Sequence, residues 1–299
     1  MCKIAIFPSI PEVLASKTLA FAKALTAPMT EFDKDAFGVA AVTETGELYT
    51  GRWIPKHAWQ TRPVSKARPT RYSNVISKTK NHDETHLVRG VLPDRPRALL
   101  LHSRWATSGK GLLNAHPHVS PGGDVALVHN GIVDTTSLDL RRTTCDSEGI
   151  LNAYSDACVQ YAATEWQSVA DRVSGYYACG ILARDESGNW IVDIIRDSQA
   201  QLYYCEADGV PLFITDLKLA RAAAKTTKTK LSAFGLVQSN SIVRINVADG
   251  VEQYCDNFTP LAPRVQAGSP YSAWRRHMGQ GSDIIDLTDD NGPRFITPR

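Results

Sequence analysis

No apolar run in the 299 residues approaches the ~20 needed to cross a bilayer, so no membrane partner is expected. The N-terminus lacks the basic, apolar and small-residue layout of an export signal, which excludes a secreted reading. The six cysteines, at 2, 145, 158, 179, 205 and 255, form no CxxC pair and no zinc-type Cys/His spacing. In a large, non-secreted chain they are expected to be free thiols, with no metal and no disulfide framework. These absences together predict a cytoplasmic protein. There is no internal repeat, no P-loop and no GxGxxG between a strand and a helix, so no nucleotide cofactor is expected. Neither sign of charge dominates: 33 Lys and Arg face 31 Asp and Glu, and 43% of residues are hydrophobic. That is an ordinary globular composition, long enough for one large domain or two small ones.

What is present is mostly strand. Residues 3–7 (KIAIF) suit a strand, and Pro11 and Glu12 open an apolar-periodic helix over 12–26 that Pro28 is expected to end. FGVAAVTETGELYTGRW, from Phe37, reads as a hairpin around ETG. Further strands are predicted at 98–106, 124–130, 176–185, 190–197, 201–207 and 211–216, and helices after Asp146 and after Asp216. Runs of strands with grouped helices predict an α+β layered domain rather than βαβ alternation.

Two regions stand apart. Between Arg52 and Arg97 eleven Lys and Arg face three Asp and Glu, with little periodicity: a basic surface excursion. Without interleaved aromatics it is read as a solvated loop or a face for an acidic partner, and not as a nucleic-acid site. The tail after about Pro260 is rich in Pro, Gly and Ser, ends near DIIDLTDDNGPRFITPR, and is expected to be irregular or to dock on a partner.

The densest chemistry lies in LHSRWATSGKGLLNAHPHVSPGGDVALVHNGIVD. Singly its parts are bland. Arg104 is a surface charge, His116 and His118 lack further metal ligands, and Asn130-Gly131 is a hairpin turn by itself. Cys2, behind the initiator methionine, reads alone as a small buried hydrophobe.

As a set they resemble the glutaminase domain of class II glutamine amidotransferases, the N-terminal-nucleophile family that includes the first half of glucosamine-6-phosphate synthase. The resemblance rests on Cys2, AFGVAAV near residue 38, RWATxG at 104–109, NAHPH at 114–118, VHNGI at 128–132 and CDSE at 145–148. RD at 196–197 and ITD at 214–216 follow in order, so about residues 2–225 are covered. The implied fold is a four-layer αββα sandwich, two stacked antiparallel sheets between helical layers. The domain is expected over residues 2–260, with the 52–97 excursion inside it and a tail over 261–299.

The chemistry explains the residue types. Hydrolysing a carboxamide needs a nucleophile, a base, oxyanion donors and a grip on the substrate. A mature N-terminal cysteine supplies thiol and base together, because a free α-amine with a pKa near ~8 is partly neutral at physiological pH. That requires removal of Met1. The resemblance assigns the oxyanion hole to Asn130 and Gly131. It assigns the α-carboxylate of L-glutamine to Arg104 and the α-ammonium to Asp146. Trp105, Thr107 and His116 are expected to shape the same pocket. The implied products are glutamate and ammonia, formed through a Cys2 thioester.

Lys3 replaces the usual glycine after the nucleophile and is expected to narrow the pocket or to bias the thiol; Ser108 replaces a histidine common in glucosamine synthases. With no synthase patterning after residue 260, an ammonia-accepting synthase chain in trans is the expected partner. Two alternatives remain: an amidase on another γ-glutamyl amide, and a non-catalytic assembly protein on a glutaminase scaffold.

Overall fold

A computed structural model describes residues 2–32, 35–53, 92–105, 112–136, 138–161 and 166–261. Most of the basic excursion, Thr107, Ser108 and the tail beyond Leu261 lie outside these residues. In chain order the elements are β1 (Lys3–Phe7), α1 (Ala15–Phe32), β2 (Ala36–Val42), β3 (Leu48–Trp53), β4 (Ala98–Arg104), β5 (His118–Val119) and β6 (Ala126–Val133). There follow α2 (Asp146–Tyr161), α3 (Trp166–Ala170), β7 (Gly175–Arg184), β8 (Trp190–Arg196), β9 (Tyr203–Ala207) and β10 (Val210–Ile214). The last are α4 (Leu217–Thr227), β11 (Leu231–Leu236), β12 (Ser241–Asn246) and β13 (Glu252–Asn257).

The strands form two sheets, ordered β11-β9-β10-β1-β4-β2-β3 and β13-β12-β8-β7-β6-β5. Every strand pairing within them is antiparallel. Period-two alternation sorts the side chains into three apolar layers. Ile4, Ile6, Leu100, Val128 and Ala178 meet between the sheets. Ala5, Phe7, Leu99 and Leu101 instead face α1 and α4, while Leu127, Cys179, Ile191 and Ile195 face α2 and α3. This is the expected αββα sandwich.

Pro28 does not end the first helix. α1 runs through it to Phe32 after a 3-10 turn at Glu12–Leu14. Its apolar face continues past the proline, with Leu25 and Met29 both fully buried. The Thr26 and Thr30 hydroxyls donate to the Lys23 and Thr26 carbonyls at 2.7 and 2.6 Å, satisfying acceptors around the proline. Burial therefore outweighs the local break. The ETG hairpin forms as expected, Thr43 N–H donating to the Glu47 carbonyl at 2.9 Å.

On the outer face of the second sheet, Arg244 grips Asp193 with two 2.7 Å hydrogen bonds and the Tyr154 hydroxyl of α2 donates to the same carboxylate at 2.8 Å. Asp193 is fully buried. Removing it strands a guanidinium charge beneath α2. Asp193→Ala is expected to destabilise the fold by about 3–5 kcal/mol, read as a lowered urea midpoint.

Candidate active site

The nucleophile candidate sits at the start of a central strand. Cys2 precedes β1 on the side that Ile4 and Ile6 turn between the sheets, and it is half-buried. Trp105 N–H donates to Sγ at 3.3 Å, and the thiol donates to the Trp105 carbonyl at 3.4 Å. Among the buried thiols, burial and the Asp146 carboxylate push Cys145 up to about 12, burial and Glu206 do the same to Cys205, and burial raises Cys179 well above its ordinary value.

Lys3 corrects an expectation. It points to the helix side, where its ammonium lies 3.2 Å from Asp216 Oδ2 at the N-cap of α4. It does not line the space between the sheets.

Arg104 ends β4 on the same interlayer side as Leu100 and is 3% exposed. Asn130 and Gly131 do not form a hairpin turn: both lie inside β6, paired with Ala178 and Tyr177 of β7. The continuous β6–β7 ladder overrides the local turn preference of the dipeptide. Asn130 continues the interlayer side of Val128, and its buried Oδ1 has no partner. A buried acceptor left unpaired in the chain is open to a donor from a ligand or water. At Gly131 a Cβ would stand 2.1 Å from the Tyr176 carbonyl oxygen and 2.6 Å from His129 Nε2, so no side chain fits.

Asp146 opens α2, where the helix field favours an anion. Its Oδ2 accepts the Val133 N–H at 3.0 Å, and its Oδ1 accepts the Ser147 N–H at 3.0 Å, which ties the helix start to the end of β6. The charges of Arg104 and Asp146 both act on the Cys145 thiol, so a cation and an anion of the predicted clamp lie near the same residue. Trp105 is 52% exposed at the rim and touches Cys2 through its main chain.

His116 is not open to a pocket. It is buried, stacked on His102 with ring centroids 3.8 Å apart, and its Nε2 lies 2.8 Å from Ser147 Oγ. His116 follows the tight seat at Gly38, where a Cβ would stand 1.8 Å from the His116 carbonyl oxygen. The sequence reading assigned no role to three neighbours. Ser147 Oγ also lies 2.8 Å from His129 Nδ1, and His102 Nε2 lies 3.0 Å from the His129 carbonyl. For two of them the signal was present, since His129 and Ser147 fall inside VHNGI and CDSE, each beside a residue given a role; His102 lies two positions before Arg104, outside RWATxG. Burial lowers the pKa of His102 to about 3 and holds His116, His118 and His129 below the usual histidine value.

Among the described residues, His116, His118 and Cys145 offer donor atoms within 4.8 Å of one another, the best metal-ligand set there. Burial, His102 and the charges of Arg52, Arg104 and Arg142 all disfavour positive charge on His118, and Cys145 stays protonated, so the surroundings oppose a cation.

No protein-family model matches the chain. It is 34% identical over 95 residues to the glutamine–fructose-6-phosphate aminotransferase (isomerizing) of Caldanaerobacter subterraneus subsp. tengcongensis, covering 28% of this chain and 16% of that protein. It is 32% identical over 105 residues to the same-named protein of Neisseria meningitidis serogroup A, covering 30% and 17%. In structure it is similar to a glutamine phosphoribosylpyrophosphate amidotransferase from B. subtilis, with TM-score 0.55 and 12% identity over 86% of this chain and 49% of that one. Over these segments the chain is similar to glutamine–fructose-6-phosphate aminotransferases, and its fold is similar to that of an amidotransferase.

The matched segments span less than a fifth of those aminotransferases, and the amidotransferase structure contributes likeness of fold. The resemblance implies that Asn130 donates to the oxyanion. Asn130→Ala is expected to lower kcat for glutamine hydrolysis about 100- to 1000-fold, with KM little changed. Steady-state glutamate release measures both.

Proposed function

We propose that the protein hydrolyses the side-chain amide of L-glutamine to glutamate and ammonia, with residues 2–260 as the glutaminase unit. The observation that carries this reading is the Cys2 thiol held by the Trp105 main chain, with Arg104 and Asn130 on the same interlayer side. Once Met1 is removed, the α-amine takes the thiol proton as Sγ attacks the amide carbon. The tetrahedral oxyanion accepts hydrogen bonds from the Asn130 NH2 and the Gly131 N–H. The amine then returns the proton to the leaving nitrogen, the C–N bond breaks, and ammonia departs. Water activated by the same amine cleaves the thioester and frees glutamate.

Arg104 pairs with the substrate α-carboxylate and Asp146 with its α-ammonium, while Trp105 borders the entrance. A site with one partner for each charge rejects amides that lack either, because a buried partner would stay unpaired. The ammonia passes to an acceptor on a synthase partner chain. The expected setting is the cytoplasm.

The test is a panel of amides offered to the processed protein. Glutamine is expected to give equimolar glutamate and ammonia, and analogues lacking the α-amino or α-carboxyl group are expected to give neither. Preference for another γ-glutamyl amide would move the substrate within the class. Inertness toward the whole panel would leave a scaffold without this chemistry.

A further inference from the structure

Four buried side chains form a closed ring at the end of the sandwich. His102 Nε2 donates to the His129 carbonyl at 3.0 Å, which joins β4 of the first sheet to β6 of the second. A carbonyl only accepts, so His102 carries its proton on Nε2. The His129 ring then meets Ser147 Oγ at 2.8 Å, the same oxygen meets His116 Nε2 at 2.8 Å, and His116 stacks back on His102 at 3.8 Å. All four residues are 0–3% exposed.

Each member sits beside a residue with a proposed task. His102 lies two positions before Arg104 on the same strand, His129 directly precedes Asn130, and Ser147 directly follows Asp146. A serine that only filled space would need one partner. This one serves two imidazoles, and with both neutral the hydroxyl donates to one and accepts from the other, which fixes both rings.

Resting on the glutaminase reading, we propose that Ser147 is a positioning residue: its hydroxyl locks the His129 ring against His116 and α2, and so holds the Asn130–Gly131 oxyanion donors at a set distance from the nucleophile strand. Without the hydroxyl, a nitrogen of each ring loses its partner in a buried site, and His116 Nδ1 already has none. The rings relax, and β6 shifts where the oxyanion forms.

The test compares Ser147→Ala, Ser147→Cys and Ser147→Thr in the processed full chain. Loss of the hydroxyl is expected to lower kcat about 30- to 100-fold, since a misplacement near 1 Å remote from the chemistry costs up to about 100-fold. KM for glutamine should stay within about threefold, because Arg104 and Asp146 still grip the substrate. Inactivation by a chloroketone analogue of glutamine, which passes through an oxyanion, should slow in parallel. Alkylation of Cys2 by iodoacetamide, which needs no oxyanion, should keep its rate. Threonine, which restores the hydroxyl, should recover kcat to within about fivefold of wild type. The cysteine variant keeps the volume and carries the same expectation should the alanine variant not fold. Unchanged kcat in an active protein overturns the inference alone. So does a loss confined to KM, or one shared by iodoacetamide. A wild-type protein that releases no glutamate overturns the glutaminase reading and the inference with it.

Discussion

Replacing Cys2 by alanine is expected to lower glutamine turnover by about 10,000-fold or more while the protein stays folded. Removing a covalent nucleophile eliminates the thioester path and leaves only what bound water achieves against the oxyanion donors. The fold should hardly notice, because Cys2 lies outside β1, is half-buried, and its sulfur contacts to the Trp105 main chain are long. Cys145, Cys179 and Cys205 are in no position to substitute, since burial holds their thiols protonated. The measurement is glutamate release by purified protein whose N-terminus has been confirmed by mass spectrometry as starting at Cys2. Full activity in the alanine variant would refute the assignment of the nucleophile.

Acid should unfold the protein through its histidines. Each of the four is held below its ordinary pKa by burial, so the unfolded chain binds protons that the folded chain refuses. Stability is then complete above about pH 6.5, and it falls as the pH drops below the unfolded value. Each buried histidine contributes a slope of about 1.4 kcal/mol per pH unit over its own window. For His102 the window runs from 6.5 to about 3 and spans on the order of 5 kcal/mol in all. With several histidines acting together, the urea midpoint should fall steeply between pH 6.5 and 5. A His102→Gln variant, which keeps an N–H near the His129 carbonyl, should start lower at pH 7 and lose less on acidification. A flat wild-type profile over that range would mean that the ring admits protons while folded.

The layers were legible because strand alternation is written in the residues themselves. FGVAAV, ALLLHSR and ALVHNGIV announce strands whatever their partners. The late strands were not: β11 and β13 are sheet edges, β12 lies between β13 and β8, and pairing across the sheet defines them. Pro28 misled because a local rule was applied where burial of Met29 decides. Asn130-Gly131 misled for the mirror reason, a turn dipeptide pinned straight by its neighbour strand. Within the site, Cys2, Arg104, Asn130 and Asp146 read as bland singly and stood out only as a set, through the family resemblance. Ser147, His102 and His129 act on other side chains rather than on a substrate, so their worth depends on distances that spacing does not carry. Lys3 was read as a neighbour of the thiol because it follows Cys2, but the pleat sends the two side chains to opposite faces.

That turn of Lys3 bears on how a chain end can serve as a base. Termini fray, and a wandering amine would spend little of its time near the thiol it must serve. Here the first residues are moored on three sides: Lys3 to Asp216, the Ile4 N–H to Thr215 Oγ1 at 3.0 Å, and the Cys2 sulfur to Trp105. The half-exposed ion pair adds little to global stability. Its effect is entropic and local: it narrows the volume explored by the terminus before any substrate arrives, so the amine and the thiol meet glutamine as one pre-set unit.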